Sequence, residues 1–232
     1  MRKRGIFYIF GVVLLLITIS FVALLSLVLI YFPKSFRKRI REFEFLIFGW
    51  FKQYEHSFGY YKNIENNLQR KINEFPLLEI GCGSGDHIIS FVKGGKKVVG
   101  LDLYLHPKML EKTNKYKNLK FVKANAEKLP IKNRSIRTIL AVFVLHHIPN
   151  YKKVLNEIYR VLKKDGRLVL VENYTDDLFK KIINYYFIEM NTINKWTIDE
   201  ILDHVKEIGF RNVQFKIIPS KIVPSVVITA SK

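Results

Sequence analysis

The nine residues Leu77-Leu78-Glu79-Ile80-Gly81-Cys82-Gly83-Ser84-Gly85 constrain this chain most. Apolar residues around one acid read as a short buried strand. Three glycines at alternate positions then force a tight turn, and Ile88, Ile89, Phe91 and Val92 open an apolar stretch just beyond. Glycine lacks a Cβ, so the backbone can take unusual dihedral angles and a bulky ligand can lie against it. A glycine turn between a strand and a helix is how open α/β sheets hold adenosine-type cofactors. The spacing narrows the choice. In a GxGxxG dinucleotide fingerprint the third glycine would fall on Asp86, and no Gly-Lys-Ser/Thr of a P-loop follows.

Beyond the turn, short apolar runs alternate with amphipathic ones. Strands are expected over 75–80, 97–101, 119–122, 136–144 and 167–171, and helices over 60–73, 86–93, 108–116 and 151–162. Helices over 177–190 and 198–208 and closing strands over 213–218 and 226–230 follow. Such alternation implies a mostly parallel sheet with helices on both faces.

Four further segments stand where that sheet would place a ligand. The second strand ends in Val98-Val99-Gly100-Leu101-Asp102, and a carboxylate there can accept hydrogen bonds from both hydroxyls of a ribose. The third strand runs into Lys123-Ala124-Asn125-Ala126-Glu127-Lys128-Leu129-Pro130. The fourth ends in Val142-Phe143-Val144-Leu145-His146-His147-Ile148, where a histidine can take a proton near neutral pH. The fifth segment spans Asn156 to Glu172 and includes Glu157, Arg160, Val161, Leu162, Lys163 and Gly166, the last expected to supply a flexible turn.

Taken in this order, the segments resemble the class I S-adenosylmethionine (SAM)-dependent methyltransferases, nearest to the small-molecule branch that includes quinone-biosynthesis enzymes. The resemblance covers residues 75–218. It implies a Rossmann-like α/β fold with a seven-stranded, mostly parallel sheet. It also implies SAM held by Glu79, Gly81, Cys82, Gly83, Gly85, Asp102, Leu103, Asn125 and Ala126. His146 and His147 become candidates for removing a substrate proton, and Glu172 and Tyr174 for meeting the substrate; Glu172 could instead cap the next helix. The chain departs from the family at Asn125, where an aspartate commonly receives the adenine amino group. An amide oxygen can accept that bond, without the assistance of a charge. Lys164 and Asp165 replace the usual Pro-Gly, and Ser135-Ile136-Arg137 the usual Ser-Phe-Asp.

Residues 1–58 lie outside the resemblance. Positions 6–32 form a run of 27 residues without a charge. As a helix it would reach roughly 40 Å, against a hydrocarbon core of about 30 Å. It is too long for a cleaved signal peptide, and Pro33-Lys34-Ser35 is no small-residue cleavage site. A single transmembrane anchor is therefore expected over 1–33, a basic and aromatic juxtamembrane segment over 34–58, and the catalytic domain over 59–232. Three basic residues precede the run and five follow it closely, which places the domain on the cytoplasmic side.

Net charge is +19, and with an anchor present the lipid bilayer is the simplest partner for it. No compact basic-aromatic module points to nucleic acid, and the Asn-Pro-Pro-Tyr motif of enzymes that methylate nucleic-acid amino groups is absent. No His/Cys spacing suggests a metal. The single cysteine, Cys82, cannot form an internal disulfide and reads as a small residue filling the turn. An aromatic segment over 173–196, with Tyr174 and Trp196 at its ends, suits an apolar acceptor. The leading expectation is a membrane-anchored SAM-dependent methyltransferase acting on a small, hydrophobic or lipid-like acceptor. Two other readings are a non-catalytic SAM-binding membrane subunit and a protein methyltransferase acting on a membrane neighbour.

Overall fold

The computed structural model describes residues 60–104, 106–174, 196–219 and 224–232. All of them fall within the second of two units, 1–58 and 59–232, into which the chain divides. The run over 6–32, the segment over 34–58 and the helix expected over 177–190 lie outside the described residues. Among the described residues no helix is long and apolar enough to cross a membrane.

The elements follow the expected alternation: α1 (Tyr60–Lys71), β1 (Leu77–Ile80), α2 (Ile89–Lys93), β2 (Val98–Asp102), α3 (Pro107–Lys115), β3 (Leu119–Lys123) and β4 (Ile136–Val142). Then come α4 (Tyr151–Val161), β5 (Leu162–Asn173), α5 (Ile198–Ile208), β6 (Arg211–Ile218) and β7 (Ser225–Ser231). The seven strands form one sheet in the order β3-β2-β1-β4-β5-β7-β6. Strands β1 to β5 pair in parallel, and β7 runs antiparallel to both β5 and β6. The order reverses between β1 and β4, and in open α/β sheets ligands bind at such a switch point, beyond the carboxyl ends of the strands.

Alternation along each strand divides the core between the two faces. Leu78 and Ile80 of β1 pack with Val154, Leu155 and Ile158 of α4 and Ile201 and Val205 of α5. Leu77 faces the other way, onto Ile64 and Leu68 of α1, Phe91 and Val92 of α2 and Met109 of α3. The same alternation puts Glu79 on that second, apolar face, fully buried.

Three expectations change. The helix expected from residue 86 starts only at Ile89, because the Asp86 carboxylate is held by Lys112 Nζ (2.6 Å) and Ser84 Oγ (2.5 Å) and caps nothing. The strand expected to continue to residue 144 ends at Val142, and Leu145–His147 form a single 3-10 turn. The strand expected from residue 167 starts at Leu162, which pairs with Ile136 before the register jumps to Thr138 opposite Arg167. The irregularity between them has its left-handed residue at Asp165 (φ 59), not at Gly166. Gly166 is required for space, since a Cβ there would lie 2.9 Å from the Lys163 carbonyl oxygen.

Candidate active site

The glycine loop is stapled to the end of β2. Gly81 and Cys82 N–H both donate to the Leu101 carbonyl (2.8 and 3.0 Å), and Gly83 N–H donates to Asp102 Oδ2 (2.8 Å). The other oxygen, Oδ1, accepts from Tyr104 N–H at 3.0 Å. A carboxylate offers about four lone-pair positions, so Asp102 fixes the loop and keeps two for a ribose.

Two of the glycines answer to space. Gly81 sits at φ +68, and a Cβ there would fall 2.2 Å from a Val144 methyl, so β1 and β4 close on each other at the switch point. Gly83 sits at φ +47 with nothing within 4 Å of where its Cβ would be, which leaves an open cradle against the backbone. On the far side of the loop, Lys112 Nζ donates to the Ser84 carbonyl (2.8 Å) as well as to Asp86. Lys112 belongs to α3 and carries no local sequence signal; only the packing of α3 on the loop reveals it.

The electrostatics of the cradle are acidic, in a chain that is strongly basic overall. Both Glu79 oxygens are buried without a hydrogen-bond partner. Burial, reinforced by the nearby charges of Asp86 and Asp102, holds the Glu79 carboxyl well above the usual carboxylate range. Around Asp86 burial works in the same upward direction, but the bonds from Lys112 and Ser84 outweigh it and hold that acid below its usual range. With Asp86 paired to Lys112 and Glu79 disfavoured as an anion, the Asp102 carboxylate and the open backbone at Gly83 are what fit a cofactor built on an adenosine ribose. Cys82 takes no part as a nucleophile: burial, with Glu79 and Asp102 next, pushes its thiol far up, and its sulfur packs against Gly100.

Leu103 is 49% exposed at the end of β2, an apolar side chain left free beside the cradle. Asn125 is exposed, but its Oδ1 already accepts from Glu127 N–H at 2.8 Å. That local turn occupies one lone pair of the oxygen expected to meet adenine, while Ala126 beside it is buried in the core. The loop carrying them is held from α4. Glu157 accepts from Leu129 N–H (2.7 Å), and Arg160 donates to the carbonyls of Leu129 (3.0 Å) and Ile131 (2.9 Å). The Glu157–Arg160 pair was visible in the sequence as part of the family pattern; its task as a loop clamp was not.

The two histidines separate clearly. His146 is buried and its Nδ1 lies 2.7 Å from Glu172 Oε2. Glu172, fully buried, also accepts from the N–H groups of Val144 (3.1 Å) and Leu145 (2.8 Å) with Oε1. Glu172 therefore secures the turn after β4. The carboxylate holds the proton on Nδ1, so the lone pair of a neutral His146 ring is on Nε2. His147 is exposed, its ring centroid 4.0 Å from that of His146. Tyr174 is half-buried against the α4 and α5 side of the core, with its N–H bonded to the Pro224 carbonyl (2.8 Å). No group of three or more His, Cys, Asp or Glu placed to hold a metal occurs among the described residues.

Residues 78–170 match the family model described as a methyltransferase domain. Over these residues the chain carries a methyltransferase domain. A demethylmenaquinone methyltransferase of Lactococcus lactis is 34% identical over 122 residues, 48% of this chain and 48% of the relative. An uncharacterized methyltransferase of Bacillus subtilis, YcgJ, is 29% identical over 120 residues, 48% of this chain and 47% of the relative. The domain thus spans about half the length of these curated relatives. Among solved structures, a SAM-dependent methyltransferase from Archaeoglobus fulgidus superposes with a TM-score of 0.60 at 18% identity, over 74% of this chain and 94% of that one. SAM is the cofactor of this family.

Proposed function

We propose that the chain transfers a methyl group from SAM to a small apolar acceptor, such as a quinone-like or lipid-like molecule, at the cytoplasmic face of a membrane in which residues 6–32 anchor it. The observation that carries the catalytic part is the pairing of His146, on the turn beyond β4, with Glu172 of β5, two residues past the Val144 that lies against Gly81 of the glycine loop. When bound, SAM supplies a methyl on a sulfonium that needs no further activation. The chain's own tasks are to hold the acceptor in line, to exclude water and to accept its proton at His146 Nε2. The demethylmenaquinone methyltransferase among the relatives supports a quinone-like acceptor, and the uncharged run over 6–32 supports an acceptor confined to the bilayer.

The test is to incubate the full-length chain in native lipid membranes with methyl-labelled SAM, then separate lipid from protein, with Asp102→Ala as control. Label in the lipid fraction that disappears in the control is the expected result. Label in protein overturns the proposed acceptor class. A second reading, a SAM-binding subunit without transferase activity, is favoured by Asn125, whose oxygen is engaged within its own turn. SAM binding with no label in either fraction would select it.

A further inference from the structure

The parallel strands place the cofactor cradle at their carboxyl ends, and a second polar feature lies at the opposite edge of the sheet. There Arg134 (before β4), Tyr159 (last turn of α4), Lys164 (in the irregular start of β5), Arg211 (first residue of β6) and Lys232 (just after β7) line a cavity of about 250 Å³. Four of these five side chains are cations contributed by separate segments of the chain.

Their counter-charges are few. Arg211 Nη2 lies 3.5 Å from the Asp165 carboxylate and donates to the Lys232 main-chain oxygen at 3.0 Å. Lys232 Nζ donates to the main-chain oxygens of Tyr159 and Leu162 and sits 4.4 Å from the centre of the Tyr159 ring. Burial, and then the Arg134 charge, hold the Lys232 ammonium below its usual range. Among the described residues no carboxylate pairs with Arg134 or with Lys164. Two cations thus line the cavity with no carboxylate paired to them, beside Lys232, whose ammonium bonds go to the main-chain oxygens of Tyr159 and Leu162, and Arg211, which Asp165 partly balances. Convergent like charges repel, and an anion seated among them would relieve the repulsion. The guanidinium groups present forked donors suited to a tetrahedral oxyanion, and the ammonium groups act as point charges.

We propose that this cavity binds a phosphate group, at a site separate from the cofactor cradle and on the opposite edge of the sheet. The phosphate can come from a free phosphate compound or from the headgroup of an anionic phospholipid, and the two sources are separable. In one arm the full-length chain in neutral detergent is titrated with inorganic phosphate at constant ionic strength, with chloride as control. Acetylation of Lys164 and Lys232, read by mass spectrometry, and the melting temperature are followed. In the other arm the chain is reconstituted into phosphatidylcholine vesicles with or without phosphatidylglycerol, and acetylation of the same lysines is read.

Protection of Lys164 and a raised melting temperature with phosphate, but not with chloride, are expected. An Arg134→Gln/Lys164→Gln variant should bind phosphate at least about tenfold more weakly, given the strength of charge-assisted hydrogen bonds. Its SAM affinity should be unchanged. Protection only in phosphatidylglycerol vesicles assigns the same site to a lipid headgroup. Equal effects of chloride and phosphate, or no protection in either arm, overturn the proposal.

Discussion

Replacing Glu172 by glutamine keeps the size of a fully buried side chain and removes its charge. Three bonds are at stake: those from the N–H groups of Val144 and Leu145, and the one shared with His146 Nδ1. A glutamine oxygen can still accept the two backbone bonds, now as neutral ones. The difference between charged and neutral hydrogen bonds is about 1 kcal/mol each, so the expected loss of stability is roughly 2 kcal/mol. The amide nitrogen falls opposite Nδ1 and can only donate to it. That forces the His146 proton onto Nε2 and removes the lone pair assigned to the acceptor's proton. General-base catalysis contributes typically 10²–10⁴-fold, and the turnover rate should fall by about that factor. SAM binding should stay as it is, because the cradle of Gly83 and Asp102 is built from other elements. Denaturant unfolding gives the first quantity, calorimetric titration with SAM the second, and methyl transfer from labelled SAM at saturating cofactor the third. A variant that keeps its turnover within about threefold of wild type would refute the role of His146 as base. So would a loss confined to SAM affinity.

Two further predictions concern the cradle. Glu79→Gln should leave stability unchanged in acid but make the folded chain more stable than wild type at neutral pH. The wild-type carboxyl is raised in the folded state, so the folded chain binds more protons and loses stability as pH rises from the unfolded carboxyl pKa through the raised one. Unfolding curves from pH 4 to pH 8 that stay parallel would contradict this. Gly81→Ala should destabilise the fold by about 2–5 kcal/mol, from overpacking plus a left-handed alanine, because the new methyl lands 2.2 Å from Val144. Gly83→Ala adds a methyl in open space, so its cost to stability is the left-handed strain alone, about 1–2 kcal/mol, while it should weaken SAM binding, a contrast that thermal melts and calorimetry on both variants would expose.

The sheet was legible because its strands are bounded by glycine, proline and charged turns and its helices carry clear apolar stripes. The glycine loop and Asp102 were legible for the same reason, as one strand–turn–helix unit and the end of the next strand. The His146–Glu172 pair was only half legible. Both residues stood out in the sequence, yet nothing local joins two positions 26 residues apart; the parallel register of Val142 with Val171 does. His146 and His147 could not be told apart while they were expected at the end of a strand. The 3-10 turn buries one and exposes the other. Lys112 and the basic cavity were invisible, since their members come from segments with no shared pattern. Asp165 shows the reverse error, in which the glycine attracted attention and its neighbour took the left-handed conformation.

The place of β7 bears on how the chain is made. It lies between β5 and β6, so β5 has no neighbour on that side until β7 arrives. About 50 residues separate the end of β5 at Asn173 from the start of β7 at Ser225, and a ribosome adding about 5–20 residues per second needs roughly 3–10 s to supply them. Throughout that interval the nascent chain presents Leu168, Val169, Leu170 and Val171 as an open, apolar sheet edge, of the kind that recruits other strands. Yield during expression should therefore depend on the speed of translation through residues 174–224 more than on the stability of the finished fold.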